Sequence, residues 1–210
     1  MALGLLNRPD ISAEALEALS KNASLIKSRK VRTALIGHAK TPRHVSLPLL
    51  RHLYTFDLMQ VALTPTVPAD VKKAAEEILC NKLPGISTGA RLSLARRASA
   101  RVAGELLADK EARVMQAALE NPRLTEALVV RVLVRHDAPA TFVAAVCHHA
   151  KWSVRREVRI ALLRGEKTPL PAALEFARAL PASLVREILH NSRLPASVKT
   201  YIRKELEQAK

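Results

Sequence analysis

The chain has 210 residues, with 34 Lys and Arg against 19 Asp and Glu, a formal net charge of +15, and aromatic residues make up only 3%. Because 49% of the residues are apolar, the composition excludes a disordered chain. No run of about 18 apolar residues predicts a membrane span, and the first ten residues lack the features of a signal peptide. We therefore expect a cytoplasmic protein that does not contact a membrane.

The predicted elements are helices from one end of the chain to the other. Apolar residues recur at spacings of three and four, first at Leu16, Leu19, Leu25 and Ile26, and strand-like alternation is absent. Most of the twelve prolines stand where a helix would begin, a position at which the missing N–H is harmless. The pattern predicts an all-α fold.

A twelve-residue pattern, which we call the repeat frame, recurs along these helices. VRTALIGHAKTP begins at Val31, VRIALLRGEKTP at Val158 and LVREILHNSRLP at Leu184. Less similar copies begin at Tyr54, Thr88, Val114 and Phe142. Most of the steps between copies have the length of one helical hairpin. Since stacked hairpins bury their apolar faces against one another, we predict a right-handed α-solenoid of about seven to eight hairpins.

Individual positions of the repeat frame suggest where the helices end and begin. Apolar residues occupy the fifth and sixth positions in six of the seven copies, and these positions are predicted to be buried. The eighth position carries residue types that tolerate left-handed backbone or occur in a last helical turn: His38, Asn121, His149, Gly165 and Asn191. Three Thr-Pro pairs are predicted to be an N-cap followed by a first helical residue: Thr41-Pro42, Thr64-Pro65 and Thr168-Pro169.

The repeats differ in regularity along the chain. Residues 1–80 follow the frame loosely and are predicted to be N-terminal capping repeats, and residues 90–210 are predicted to be the regular ones. Between them, residues 81–89 contain Pro84, Gly85 and Gly89, which predict a hinge. We expect all three parts to form one continuous solenoid.

Four strings in the second half of the chain resemble a known class of repeat protein. LARRAS at 94–99, ENPRLT at 120–125, HAKWS at 149–153 and KTPL at 167–170 are similar to strings of HEAT-like and leucine-rich-repeat-variant α-solenoids of bacteria. The resemblance covers about half of the chain. It implies HEAT-like hairpins and, because such solenoids mostly bind macromolecules, a binding function.

Cations recur at the tenth position of the repeat frame, in six of its seven copies. These tenth-position cations are Lys40, Arg97, Arg123, Lys151, Lys167 and Arg193. Because equivalent positions of a solenoid stack, they are predicted to line one edge, where they would bind the phosphates of a nucleic acid. An alternative interpretation is that each cation caps the free carbonyl groups at a helix end.

A second basic cluster surrounds the single tryptophan. On one helix, spacings of three and four would place Trp152 beside Arg155 and Arg156, with Arg159 nearby, as an exposed platform on which a base stacks. In the alternative interpretation Trp152 fills the core and the arginines are solvated. The other aromatic residues considered, Tyr54, Phe142 and Phe176, are predicted to be buried.

Residues with catalytic potential are few. Cys80 and Cys147 form neither a disulfide framework nor a metal-ligand pattern, and we expect both to be reduced and buried. Cys147, His148 and His149 are adjacent and would diverge on a helix, so they do not predict a metal site. A nucleophilic Cys147 with a remote histidine as its base is an alternative that the absence of an activating motif disfavours. No phosphate-binding glycine motif occurs, so we expect no cofactor and no catalytic residue.

The leading hypothesis is a non-enzymatic module that binds a polyanion, with the phosphate backbone of DNA or RNA as the preferred partner. Its predicted nucleic-acid-binding residues are the six tenth-position cations with Trp152, Arg155, Arg156 and Arg159. A protein-interaction scaffold that grips an acidic protein segment is the first alternative. The second is a HEAT-like alkylpurine DNA glycosylase, whose likeness in architecture implies aromatic residues near a carboxylate. Only Trp152 and Glu157 offer that combination here.

Overall fold

The protein is described by a computed structural model that covers residues 2–6, 8 and 10–208. Within these residues the backbone forms helices and turns and no strand, which confirms the predicted all-α class. No helix in the described residues is both long and apolar enough to cross a membrane. The chain divides into two compact units, Met1–Val102 and Ala103–Lys210.

The first unit contains eight helices and the start of a ninth among its described residues. They are α1 (Ala2–Leu6), α2 (Ala13–Lys21), α3 (Ala23–Lys27), α4 (Arg29–Gly37), α5 (Arg43–Leu50), α6 (Thr55–Leu63), α7 (Ala69–Lys82), α8 (Thr88–Arg97) and α9 (Ala100–Leu106), the last of which continues into the second unit. Helix α4 packs against α1, α3, α5 and α6, and α7 packs against α5 and α6. Contacts therefore join second neighbours along the chain as well as first neighbours.

The second unit continues in the same way. Its helices are α10 (Ala112–Leu119), α11 (Glu126–Leu133), α12 (Ala140–His148), α13 (Arg156–Arg164), α14 (Leu170–Arg178), α15 (Ala182–Asn191) and α16 (Ala196–Gln208). Second neighbours pack in four pairs: α10 with α12, α11 with α13, α13 with α15, and α14 with α16. Contacts between second-neighbour helices are what helical hairpins stacked in sequence would produce.

The fifth and sixth positions of the repeat frame are buried, as predicted, in six of the seven copies, whereas Leu92 and Ser93 of the copy that begins at Thr88 are half-buried. Leu35 and Ile36 in the first unit, and Leu162, Leu163 and Ile188 in the second, are each no more than 2% exposed. Residues 81–89 lie inside the first unit, where α7 is followed by a 3₁₀ turn (Leu83–Gly85) and then by α8. A hinge in this segment stays a prediction.

The five residues named at the eighth position lie at a helix end or within two residues of one, as predicted, but without the left-handed backbone that their types tolerate. No described residue has a positive φ. His38, His149 and Gly165 each follow the last residue of a helix, at φ between −77° and −80°, with extended ψ. The helices therefore end by passing directly into extended backbone.

The Thr-Pro pairs also differ from their predicted role. Thr41 and Thr168 are buried, and their hydroxyl groups donate to the carbonyl oxygens of Leu35 (2.5 Å) and Leu162 (2.6 Å), six residues earlier in each case. The N-cap of the following helix is the proline, Pro42 or Pro169. Thr64 instead ends α6 and donates to the carbonyl of Gln60. Each threonine thus gives a second hydrogen bond to a carbonyl of the last turn of the preceding helix, which also accepts a backbone N–H.

Candidate functional site

Three copies of the repeat frame contain the same hydrogen-bonded turn. The side chain at the eighth position accepts a hydrogen bond from the backbone N–H of the tenth. His38 Nδ1 accepts from Lys40 (3.2 Å), Asn121 Oδ1 from Arg123 (2.8 Å) and His149 Nδ1 from Lys151 (3.2 Å). Asn121 is fully buried. Such a bond to the second residue on closes a compact turn, and here it holds the backbone of the tenth-position cation.

The two histidines of these turns also reach back to an earlier part of the chain. Because Nδ1 accepts, the proton of a neutral ring is on Nε2. His38 Nε2 lies 3.3 Å from the carbonyl oxygen of Arg8, to which it donates. His149 Nε2 lies 3.1 Å from Oε1 of Glu120 without forming a hydrogen bond. The histidines are therefore structural parts of the turns that carry the cations.

All six tenth-position cations are exposed. The ammonium group of Lys151 lies 4.2 Å from the centroid of the Trp152 indole, and Arg97, the last residue of α8, donates to Ser93 Oγ (2.9 Å). Lys167 and Arg193 donate to the carbonyl oxygens of Ala138 (2.7 Å) and Val134 (3.2 Å). These last two make the carbonyl contacts of the alternative interpretation, although to earlier segments of the chain and not to their own helices.

Two of these cations share a crevice in the second unit. Lys167 and Arg193 line it together with Arg135 and His136. Arg135 is in an ion pair with Asp137, whose pKa is lowered mainly by the hydrogen bond from that guanidinium. The structure thus brings together two predicted residues and adds two that sequence reasoning did not select.

The predicted stacking platform at Trp152 is wrong. The Trp152 side chain is 2% exposed, and its indole N–H donates to the carbonyl oxygen of Leu119 (2.9 Å). It lies in the turn before α13, which begins only at Arg156, so the helical spacing on which the platform depended does not apply. The alternative interpretation, in which the indole fills the core, describes what the structure shows.

The three arginines of that cluster have different surroundings. Arg155 and Arg156 are exposed, and Arg156 lies 3.8 Å from Glu157. Arg159 is half-buried, donates to the carbonyl oxygen of Ser153 (2.7 Å) and lies over the ring of Phe176, 5.8 Å from its centroid. Arg155 and Arg156 are therefore accessible to a ligand, and Arg159 has a packing role as well.

Of the three other aromatic residues that were predicted to be buried, two are buried and one is exposed. Phe142 and Phe176 are buried as predicted, whereas Tyr54 is 63% exposed. Tyr54 is the N-cap of α6, and the guanidinium of Arg29 lies over its ring, 5.4 Å from the centroid. An exposed aromatic ring beside an arginine is thus present, but in the first unit and not at Trp152.

The first unit contains a basic cleft of about 880 Å³, lined by residues of α1, α4 and α6 and the turns beside them. Its charged lining residues are Arg8, Arg29, Lys30, Lys40 and Asp57. Lys40 is the one predicted site residue among them. Leu6, Ala34 and Ala39 contribute apolar wall. Sequence reasoning missed Arg29 and Lys30, although three cations within residues 27–30 at the start of α4 were a signal for them.

Two arginines of the basic cleft are in ion pairs. Arg29 pairs with Asp57, and the hydrogen bonds that its guanidinium donates to that carboxylate raise the pKa of Arg29. Arg8 pairs with Asp10, and the hydrogen bond that Arg8 donates lowers the pKa of Asp10. The positive charge of Lys40 lowers this pKa further. Among the described residues, neither Lys30 nor Lys40 has its ammonium group in an ion pair. These two lysines are the charges that a bound anion would meet.

The residues with catalytic potential have the following surroundings in the structure. Cys147 is 8% exposed, and burial raises the pKa of its thiol to about 11, which disfavours the nucleophilic thiolate. His148 Nδ1 lies 2.9 Å from the carbonyl oxygen of Ala144. Cys80, predicted to be buried, is half-buried. In the described part of the chain, no three His, Cys, Asp or Glu side chains are grouped so that they could hold a metal ion.

The chain matches no family model, no curated protein and no solved structure.

Proposed function

We propose that the chain is a non-enzymatic, HEAT-like α-solenoid that binds the phosphate backbone of DNA or RNA. The observation that carries the proposal is the exposure of all six tenth-position cations, three of them held by the same turn. A net charge of +15 adds a long-range attraction for polyanions. The solenoid is supported by the packing of second-neighbour helices within each unit.

A contact with a carbonyl oxygen does not remove a cation from the proposed interface. A lysine ammonium has three N–H donors and an arginine guanidinium has five. The bond from Lys167 to Ala138 uses one donor and fixes the position of the charge, and Arg193 is held in the same way. Both side chains therefore keep donors for phosphate oxygens.

Salt dependence of binding is the direct test. If six to ten phosphates are neutralised, affinity for a labelled oligonucleotide falls by about 10³ to 10⁵ between 50 and 200 mM salt. A variant with Lys40, Arg97, Arg123 and Lys151 changed to Gln should bind more weakly and lose about 0.9 from the log-log slope for each contact removed on a duplex. Fluorescence anisotropy titrations at several salt concentrations measure both quantities.

A matched control loses the same charge elsewhere. Lys21, Lys73, Arg186 and Lys204 are exposed cations on helices, outside the tenth position and outside the proposed site. Changing these four to Gln should lower the affinity less and leave the slope close to that of the wild type. An equal effect of the two quadruple variants would remove the tenth-position cations from the interface, and no binding at 50 mM salt would refute the proposed function.

A scaffold that grips an acidic protein segment is the second candidate, and the apolar wall of the basic cleft favours it. Leu6, Ala34 and Ala39 lie among the cations there, an arrangement suited to an acidic segment with apolar side chains. A Glu-rich peptide with interspersed leucines distinguishes the candidates. Tight binding of this peptide at 200 mM salt, with weak binding of DNA and RNA, would favour the scaffold.

A further inference from the structure

The guanidinium of Arg29 is fixed in place by a buried carboxylate. Its Nε donates to both carboxylate oxygens of Asp57 (2.8 and 3.1 Å) and its Nη2 donates to Oδ1 (2.8 Å). Asp57 is 8% exposed and belongs to α6, 28 residues further along the chain. A pair with two parallel hydrogen bonds fixes the orientation of both planar groups. Arg29 is thus held at the edge of the basic cleft.

Tyr54 lies against this fixed arginine and is accessible to solvent. The guanidinium carbon of Arg29 is 5.4 Å from the ring centroid. At 63% exposed, Tyr54 is the most exposed large hydrophobic side chain in the described part of the chain. The large aromatic side chains that make up the core, Trp152, Phe142 and Phe176, are at most 2% exposed. Tyr54 therefore offers a flat ring that the core does not use.

The same arginine connects the ring to the cations of the cleft. Arg29 lines the basic cleft together with Lys30 and Lys40, and its own charge is balanced by Asp57. The site then combines an exposed aromatic ring, a planar guanidinium and two lysines whose ammonium groups are in no ion pair with another described residue. Proteins that bind single-stranded nucleic acid combine these groups, since aromatic rings stack on bases and cations follow the phosphates.

We propose that Tyr54 and the basic cleft form a binding site for single-stranded nucleic acid. An unpaired base stacks on Tyr54 at the edge held by Arg29, and the adjoining phosphates contact Lys30 and Lys40. A duplex keeps its bases stacked inside, so it gains the phosphate contacts alone. Asp57 is a positioning residue that holds the Arg29 guanidinium. The inference rests on the proposed function and names the form of nucleic acid and the place of its contact.

Three probes separate stacking from charge. They are an oligothymidylate of twelve nucleotides, an abasic strand of equal length, whose sugars carry no bases, and a duplex of twelve base pairs. Tyr54→Ala should lower the affinity for the oligothymidylate by about 5- to 100-fold, the range that base–aromatic stacking supports. It should leave the affinity for the strand without bases unchanged. Changing Lys30 and Lys40 to Gln should weaken binding of both strands.

Two further variants show whether the ring itself is responsible. Tyr54→Phe keeps the ring and should retain the affinity of the wild type. Tyr201→Ala removes a second exposed tyrosine (57%) from α16 and should have no effect. Because Tyr54 is largely exposed, Tyr54→Ala should fold, which its circular dichroism and melting temperature would verify.

The results distinguish failure of this site from failure of the proposed function. If the wild type binds all three probes and Tyr54→Ala binds oligothymidylate as tightly as Tyr201→Ala does, the site is refuted while phosphate binding stands. Equal or tighter binding of the duplex would also refute it. If the wild type binds none of the probes at 50 mM salt, the proposed function fails as well.

Discussion

The ammonium group of Lys167 donates a hydrogen bond of 2.7 Å to the carbonyl oxygen of Ala138, 29 residues earlier in the chain. In the first unit Lys82 donates to the carbonyl oxygen of Leu53, also 29 residues earlier (3.1 Å). Both carbonyl groups belong to the residue before the N-cap of a helix, α6 or α12. The two units thus use the same contact between consecutive stretches of about 29 residues.

Other long-range pairs have nearly the same separation. The Ser192 hydroxyl donates to the carbonyl of Leu163, 29 residues earlier, and Arg131 pairs with Glu105 at a separation of 26. The side chain of Arg193 reaches the carbonyl of Val134 at 59, about two such steps. A recurring separation of 26 to 30 residues is the length of one helical hairpin and its connection, which supports the proposed solenoid.

The first prediction concerns the stability of this contact. Lys167→Met removes the donor and should lower the free energy of unfolding by about 0.5–1.5 kcal/mol, the usual net contribution of one hydrogen bond. Lys40→Met is the matched control, because the described residues offer the Lys40 ammonium group no hydrogen-bond partner, and its effect should stay below about 0.5 kcal/mol. Urea unfolding followed by circular dichroism measures both. Equal stability of the two variants would contradict the assignment.

The helices and their buried faces could be predicted from the sequence because both follow from periodicity. Leu35 and Ile36, or Leu162 and Leu163, recur at the same position of the repeat frame, and a helical period places them on one face. Burial of that face against neighbouring helices needs no knowledge of which helix lies opposite.

The two misplaced aromatic residues show where periodicity stops being informative. Trp152 and Tyr54 both lie in connections between helices, where spacing says nothing about direction. The partner of the buried Trp152 indole N–H is a carbonyl oxygen 33 residues earlier, at Leu119. What exposes Tyr54 is its place before the first residue of α6, beside Arg29. These partners come from other helices, so the local sequence does not reveal them.

The turn at the eighth position was open to prediction from chemistry. Histidine and asparagine side chains both offer an acceptor that reaches the N–H two residues on, and in three copies a cation follows at that distance. Tolerance of left-handed backbone and occurrence in a last helical turn also explain these residue types, and neither of them reveals this hydrogen bond. Asn and His at a helix end therefore predict a side-chain-closed turn as well as a C-cap.

A second prediction tests the buried side chain of this turn. Asn121→Ala removes a fully buried polar side chain and with it the acceptor of the Arg123 N–H, and it should cost about 1–3 kcal/mol of unfolding free energy. Asn191 has the same position in another copy of the repeat frame but is exposed. Asn191→Ala should therefore change stability by less than about 0.5 kcal/mol. Denaturant unfolding of both variants gives the comparison, and similar losses would show that the turn bond contributes nothing.

A third prediction concerns the role of Trp152. Trp152→Phe removes the indole N–H that donates to Leu119, so a buried carbonyl loses its partner and the smaller ring leaves a gap. We expect a loss of about 1–3 kcal/mol, measured by urea unfolding. Tyr201→Phe, which removes a hydroxyl from an exposed ring, should have almost no effect.

The fluorescence of Trp152 provides an independent check. As the only tryptophan, it reports on a single site, and a side chain that is 2% exposed should be protected from iodide quenching in the folded protein. Addition of a saturating oligonucleotide should leave its emission almost unchanged. Strong quenching by iodide, or by a bound base, would show that the indole is exposed and would support the stacking platform predicted at Trp152.

The last prediction is the reactivity of Cys147. Burial raises its thiol pKa to about 11, so at pH 8 only about one thiol in a thousand is ionised in the folded protein. In a Cys80→Ala background, iodoacetamide should alkylate Cys147 at least about 100-fold more slowly in buffer than in urea, as mass spectrometry would measure. The direction in which pH changes the free energy of unfolding also follows, because the pKa of the Cys147 thiol is higher in the folded protein than in the unfolded chain. As pH rises from about 9 to about 11, the unfolded chain loses this proton first, and stability falls over that window. Cys147→Ala should lack this fall in stability between about pH 9 and about pH 11. Equal alkylation rates in buffer and in urea would show that the thiol is accessible, and Cys147 would then stay a candidate nucleophile.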